Sequence, residues 1–191
     1  MKTCKTLAVL AAAWLGCTAA FGAGGLPVGT VITGEVSDAS TTLLGSDHGY
    51  AAEAGSHITA LSAADIEYVT GDYAVFIDFM SDGRLQVTNN RDGESSLPGT
   101  YAFNFSFAGL SQPITGFMPL DLASVNGGTV SLQVLDAHSV SLTLNNVSFT
   151  NADYPSFTTQ LTVSAVPEPG SLALLGAGLG IVALRRMRRA A

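Results

Sequence analysis

Beyond Cys17 the chain contains no cysteine, and its two cysteines, Cys4 and Cys17, both lie near its start. If that segment is removed, the mature protein has no disulfide framework, no thiolate metal ligand and no cysteine nucleophile, and packing alone must stabilise it. Basic residues are just as scarce. Between residues 24 and 165 Arg84 and Arg91 stand alone against fourteen carboxylates, with no lysine, a formal balance of −12. Such a surface repels a phosphate backbone, which excludes nucleic acid as a partner. The charges are spread along the chain rather than in runs, as suits an exported domain kept soluble by its own charge. Also lacking are a G-x-S-x-G, a phosphate loop, a H-E-x-x-H and any paired-cysteine spacing. No cofactor, no metal and no catalytic residue is therefore expected. A length of 191 residues suits one domain plus export segments.

The export segments are plain to read. "MKTCKTLAVLAAAWLGCTAAFGAGG" begins with Lys2 and Lys5, continues through an apolar run over residues 7–15 and ends in small residues. Those are the three parts of a secretory signal peptide, assigned to residues 1–23 with the cut after Ala20 or Gly22. A lipoprotein signal using Cys17 is the rival, but bulky Trp14 occupies the place three residues before it where a small aliphatic side chain belongs.

At the far end, "VPEPGSLALLGAGLGIVALRRMRRAA" sets two prolines around a glutamate, then an apolar stretch, then Arg185, Arg186, Arg188 and Arg189. The fourteen residues 171–184, as a helix, would rise about 21 Å against the ~30 Å hydrocarbon core, so they form a short transmembrane helix that the arginines extend by snorkelling. A basic flank stays on the cytoplasmic side. With Lys2 and Lys5 at one end and the arginine cluster at the other, the domain between them is placed outside the cytoplasm. Gly176 and Gly180 form a G-x-x-x-G face, read as incidental in so short a run.

The order Val-Pro-Glu-Pro-Gly, a short helix of leucine, alanine and glycine, then an arginine cluster, resembles the PEP-CTERM sorting signal. The resemblance covers residues 166–191. It implies that Pro167, Glu168 and Pro169 are the motif recognised by exosortase, a membrane-embedded processing enzyme of Gram-negative bacteria, and that Arg185, Arg186, Arg188 and Arg189 stop translocation. It also implies a transient stay in the inner membrane, then a cell-surface or extracellular fate associated with biofilm and exopolysaccharide. Physically, the prolines keep the motif out of regular helix and sheet, extended and accessible.

Residues 24–165 alternate with period two. In "TYAFNFSFAG", Tyr101, Phe103, Phe105 and Phe107 point one way and Ala102, Asn104, Ser106 and Ala108 the other. Phe157, Thr159, Leu161 and Val163 alternate in the same manner. "TVSLQVL" and "SVSLTL", split by "DAH", predict a hairpin over residues 129–144, and Asp82-Gly83 between two strand-like runs predicts another. About eight to ten short strands are expected, hence an all-β domain, an antiparallel β-sandwich or jelly-roll-like fold, flanked by the signal helix and the transmembrane helix. "LSAADIEYV" is read as holding at most one helical turn.

His48 and His57 lie in "GSDHGYAAEAGSHI" and are read as solvated loop residues, since nothing at ligand spacing accompanies them. "NNRDGES" has calcium-like oxygens without the full alternation of a calcium loop, and is read as a turn. The leading expectation is a non-enzymatic surface or matrix protein. A carbohydrate-binding module is the alternative: Trp14, the sole tryptophan, leaves with the signal, but Tyr50, Tyr68, Tyr73 and Tyr154 remain as sugar platforms. A polysaccharide-active hydrolase, with its carboxylate pair made by the fold, is a further alternative.

Overall fold

The computed structural model describes residues 25–151 and 153–164. Eleven strands run β1 Val31–Asp38, β2 Leu43–Gly45, β3 Ile58–Ala60, β4 Tyr68–Thr70, β5 Val75–Phe79, β6 Arg84–Asn89, β7 Ser96–Ala108, β8 Ile114–Asp121, β9 Val125–Asp136, β10 Ser139–Phe149 and β11 Ser156–Val163. They form two antiparallel sheets, ordered β3-β1-β7-β10-β9 and β2-β4-β5-β6-β11-β8. The chain crosses between sheets at every connection except those of the β4-β5-β6 meander and the β9-β10 hairpin. The all-β expectation is met. The two flanking helices fall outside the described residues.

Alternation builds the core. Tyr101, Phe103, Phe105 and Phe107 are buried while Asn104, Ser106 and Ala108 face out, and Phe157, Thr159, Leu161 and Val163 fill the facing sheet. Phe79 on β5 meets Phe105 and Phe107 on β7 edge-to-face, with ring centroids 5.0 and 5.5 Å apart. Each such contact adds about 0.5–1.5 kcal/mol beyond the area buried. Tyr68 crosses the same gap: its ring is buried among apolar side chains and its hydroxyl donates to the Ile32 carbonyl of the opposite sheet at 2.6 Å. Gly34 makes room for it. A Cβ at that position would stand 3.1 Å from the Tyr68 ring, 3.1 Å from Phe105 and 2.9 Å from Leu43.

Both expected hairpins form. Asp136 pairs with Ser139 across the 137–138 turn. In the other, the Gly83 amide donates to the Met80 carbonyl and Gly83 takes φ +86°, so Asp82-Gly83 closes a turn with a glycine bulge rather than a two-residue turn. The strand count exceeds the expected eight to ten because β2, β3 and β4 are three residues each, too short for alternation to register. Residues 61–69 hold no helical turn, within the expected limit of one; bends occupy residues 63–65, and among the described residues the 3-10 turn is Ser46–His48.

The chain enters and leaves the sandwich at one end. Gly25 lies against Ser81 in the β5-β6 turn, and the Ser164 amide donates to the Pro113 carbonyl before β8 at 2.9 Å. The opposite end carries the turns around Tyr73, residues 90–95 and residues 150–155.

Candidate functional site

Pro167, Glu168, Pro169, Arg185, Arg186, Arg188 and Arg189 lie outside the described residues, as does the signal peptide. The described chain stops at Ser164, so the segment bearing the motif follows directly from the end of the sandwich that also holds Gly25. Among the described residues no helix is long and apolar enough to cross a membrane; the span expected at residues 172–184 is not among them.

Within the sandwich, chemistry concentrates at two places. The first is a carboxyl pair. Glu67 precedes β4 and is wholly buried; its Oε1 accepts the Ser62 amide at 2.8 Å and its Oε2 the Phe79 amide at 2.7 Å. Glu67 is raised to about 7: burial pushes it up, the two amides pull against that, and the Asp78 charge adds to the rise. Asp78, on β5, is raised by burial while its hydrogen bond with Glu67 opposes the rise. Near neutrality such a pair holds one proton between two oxygens. Asp78 faces a cleft of ≈ 350 Å³ lined also by Asp65, Asp82, Ile66 and Arg84, in which Arg84 Nε is paired with Asp82 at 2.8 Å. Glu67 does not reach the cleft. Its two backbone bonds make it a tie between the 62–66 bend and β5.

The second is the end distant from the chain's entry and exit. Of the four tyrosines weighed as sugar platforms, Tyr68 is buried, which removes it, and Tyr50 is half-buried with its hydroxyl on the Ile66 carbonyl at 2.6 Å. Tyr73 and Tyr154 are 54% and 53% exposed. Both take positive φ, 58° and 44°, a backbone region that bulky side chains avoid unless the surroundings impose it. The surroundings are visible. Asp72 caps the Ala74 amide and accepts the Tyr101 hydroxyl at 2.8 Å, and Asn90 Nδ2 donates to the Tyr73 carbonyl at 2.9 Å. Val75 pairs with Asn89 on one side of β6 and the Asn89 amide donates to the Pro155 carbonyl on the other. Tyr73 and Tyr154 thus flank the end of β6, about two strand spacings or ~10 Å apart along the backbone.

The remaining candidates are structural in their contacts. His48 is half-buried rather than solvated, its Nδ1 against Glu53 Oε1 at 2.6 Å, a partner five residues on that spacing rules for metal ligands do not flag. His57 is exposed, as expected of a loop residue, and lends its carbonyl to Gly34. His138 sits in the β9-β10 turn with its amide on Asp136. "NNRDGES" is the turn expected: buried Asn89 accepts the Arg91 amide and donates to the Glu94 carbonyl at 2.7 Å, and Arg91 pairs with Glu94 at 2.6 Å. The Asn89 side-chain oxygen and a Glu94 carboxylate oxygen are thus committed internally. Among the described residues no three His, Cys, Asp or Glu side chains converge as a metal site would require.

Comparison with known proteins finds a feature outside the sandwich. Residues 165–189 match the PEP-CTERM protein-sorting motif. The chain thus carries a PEP-CTERM sorting motif, which implies secretion, a membrane-anchored sorting tail on the C-terminal side and processing by exosortase. No curated protein and no solved structure matches the chain.

Proposed function

We propose that the protein is exported through the inner membrane, processed by exosortase at Pro167-Glu168-Pro169 and delivered to the cell surface or extracellular matrix, where the sandwich acts by binding, without catalysis, in association with exopolysaccharide. The match of the sorting motif to residues 165–189 carries this reading. The exit of the chain at Ser164 supports an orientation: the end holding Gly25, the β5-β6 turn and Pro113 faces the membrane before processing, and the Tyr73–Tyr154 end faces away. The test uses two tags, one after Ala191 and one in the exposed tip at Asp92-Gly93, followed in hosts with and without exosortase. The tags part company only where the enzyme is present. Tags that travel together in both hosts overturn the reading.

Tyr73 and Tyr154 favour a second reading, carbohydrate binding at the membrane-distal end. Two exposed rings, that of Tyr73 on a turn held by the hydrogen bonds of Asp72 and Asn90, suit the apolar faces of a neutral oligosaccharide, with nearby amides for its hydroxyls. The negative balance of the domain disfavours an anionic glycan. Glycan-array binding lost in Tyr73→Ala and Tyr154→Ala supports it; an array without hits counts against it. Hydrolysis fits less well, since Glu67 is wholly buried and does not line the cleft that Asp78 faces, whereas both glycosidase carboxyls flank the scissile bond.

A further inference from the structure

We propose that the open edge of β9 is where a second copy of this chain pairs, antiparallel, about a two-fold axis at Leu132. Among the described residues four strands end a sheet, β3 and β9 in one and β2 and β8 in the other. An edge offers a row of unpaired N–H and C=O groups, and folded proteins guard such rows by brevity, proline or charge. β2 and β3 are guarded by brevity, at three residues each. β8 carries Pro119, which has no amide to donate. β9 runs twelve residues without proline and without a charged side chain before Asp136.

Charge selects the partner. Two copies of a domain with a formal balance of −12 over residues 24–165 repel across most of their surfaces, and the neutral run 125–135 is where that repulsion is least. The sequence there is nearly symmetric: Val130 and Val134, then Ser131 and Gln133, flank Leu132. An antiparallel pair centred on Leu132 sets each Val130 opposite Val134 and each Ser131 opposite Gln133 of the other copy. These pairs lie in the stretch 129–134 where β9 keeps unbroken register with β10, and Asp136 stands beyond it. Val130, Leu132 and Val134 are only partly covered by their own core, and pairing covers them with their equivalents. The five-stranded sheets of the two copies become one.

The absence of cysteine beyond Cys17 makes the test clean. In the full chain in detergent, with Cys4→Ser and Cys17→Ser, Ser131→Cys and Gln133→Cys are made singly and mixed. Cross-strand partners lie about 4.5–5.5 Å apart, within disulfide range. The mixture is expected to give covalent dimers several-fold above either variant alone, because like positions are offset by two residues. Ser131→Lys with Gln133→Lys sets lysine opposite lysine; both sites are exposed, so the urea midpoint stays put while the dimer is lost. No cross-linking in the mixture, equal cross-linking in the single variants, or a dimer indifferent to the lysines overturns the proposal. So does a disulfide formed within one chain between Gln133→Cys and a cysteine placed in residues 165–189, which would make the tail the occupant of the edge.

Discussion

Replacing Glu67 by glutamine isolates the carboxyl pair. Burial, with the Asp78 charge beside it, raises Glu67 from 4.5 to about 7 in the folded protein. The folded state therefore holds a proton that the unfolded chain releases. The stability this contributes is full below about pH 4.5 and is lost as pH climbs through about 7. The displacement, at about 1.4 kcal/mol per unit, amounts to about 3 kcal/mol. Glutamine does not titrate. Its NH2 can donate to Asp78 as the protonated acid does, but it cannot also accept one of the two amides, from Ser62 or Phe79, that Glu67 satisfies. That loss costs about 1–2 kcal/mol at every pH.

The two effects have opposite consequences at the two ends of the scale. Near pH 4 Glu67→Gln is less stable than the native protein by about 1–2 kcal/mol. Near pH 8 the native protein has given up about 3 kcal/mol, and the variant equals or exceeds it. Urea melts of both proteins at about one-unit steps from pH 4 to 8 give the difference curve, in which the other carboxylates cancel. A difference that stays constant over this range refutes the shared-proton account and leaves Glu67 an ordinary buried acceptor. Asp78→Asn supplies an independent check: removing its charge lowers Glu67, so the loss of stability begins at lower pH.

Gly34→Ala forces a methyl group against Tyr68, Phe105 and Leu43 and is expected to cost about 1–3 kcal/mol in urea melts. Tyr68→Phe leaves the buried Ile32 carbonyl without its 2.6 Å donor, for a loss of about 1–3 kcal/mol with little change in the denaturant slope. Phe105→Ala opens a cavity between the sheets and is expected to cost about 3–5 kcal/mol by the same measurement. Glu168→Ala is expected to keep the tag after Ala191 joined to the sandwich in a host with exosortase, on immunoblots that follow both tags, without altering the urea midpoint of the sandwich.

How much of this could be read from the residues depends on whether the information is local. The sorting tail is a linear signal whose order survives without any fold, so the motif that matches at residues 165–189 was readable as it stands. The β7 and β11 runs were readable for a related reason: strands exposed on one face and buried on the other print their period directly into the sequence. The segment 43–70 was not, because three-residue strands are too short to show a period and bends stand where a helical turn was plausible. The site residues divide the same way. Glu67, just before β4, and Asp78, on β5, are eleven positions apart and become neighbours only through β4-β5 pairing, with Tyr68 opposite Ile77, and no spacing rule brings them together.

The tyrosines make the same point from the other side. Composition offered Tyr50, Tyr68, Tyr73 and Tyr154 as equals, and only pairing separates them. Tyr68 spends its hydroxyl on Ile32 in the opposite sheet and serves the core. Tyr73 and Tyr154, eighty-one positions apart in the chain, become neighbours because β5 and β11 both flank β6. Their end of the sandwich is also the one farthest from where the sorting tail departs. On the carbohydrate-binding reading, the ligand surface and the point from which the tail departs would lie at opposite ends of one small domain. That reading predicts that glycan binding measured on unprocessed precursor and on processed protein agrees. A ligand affinity that changes on processing would place the binding surface beside Gly25 and Pro113 instead.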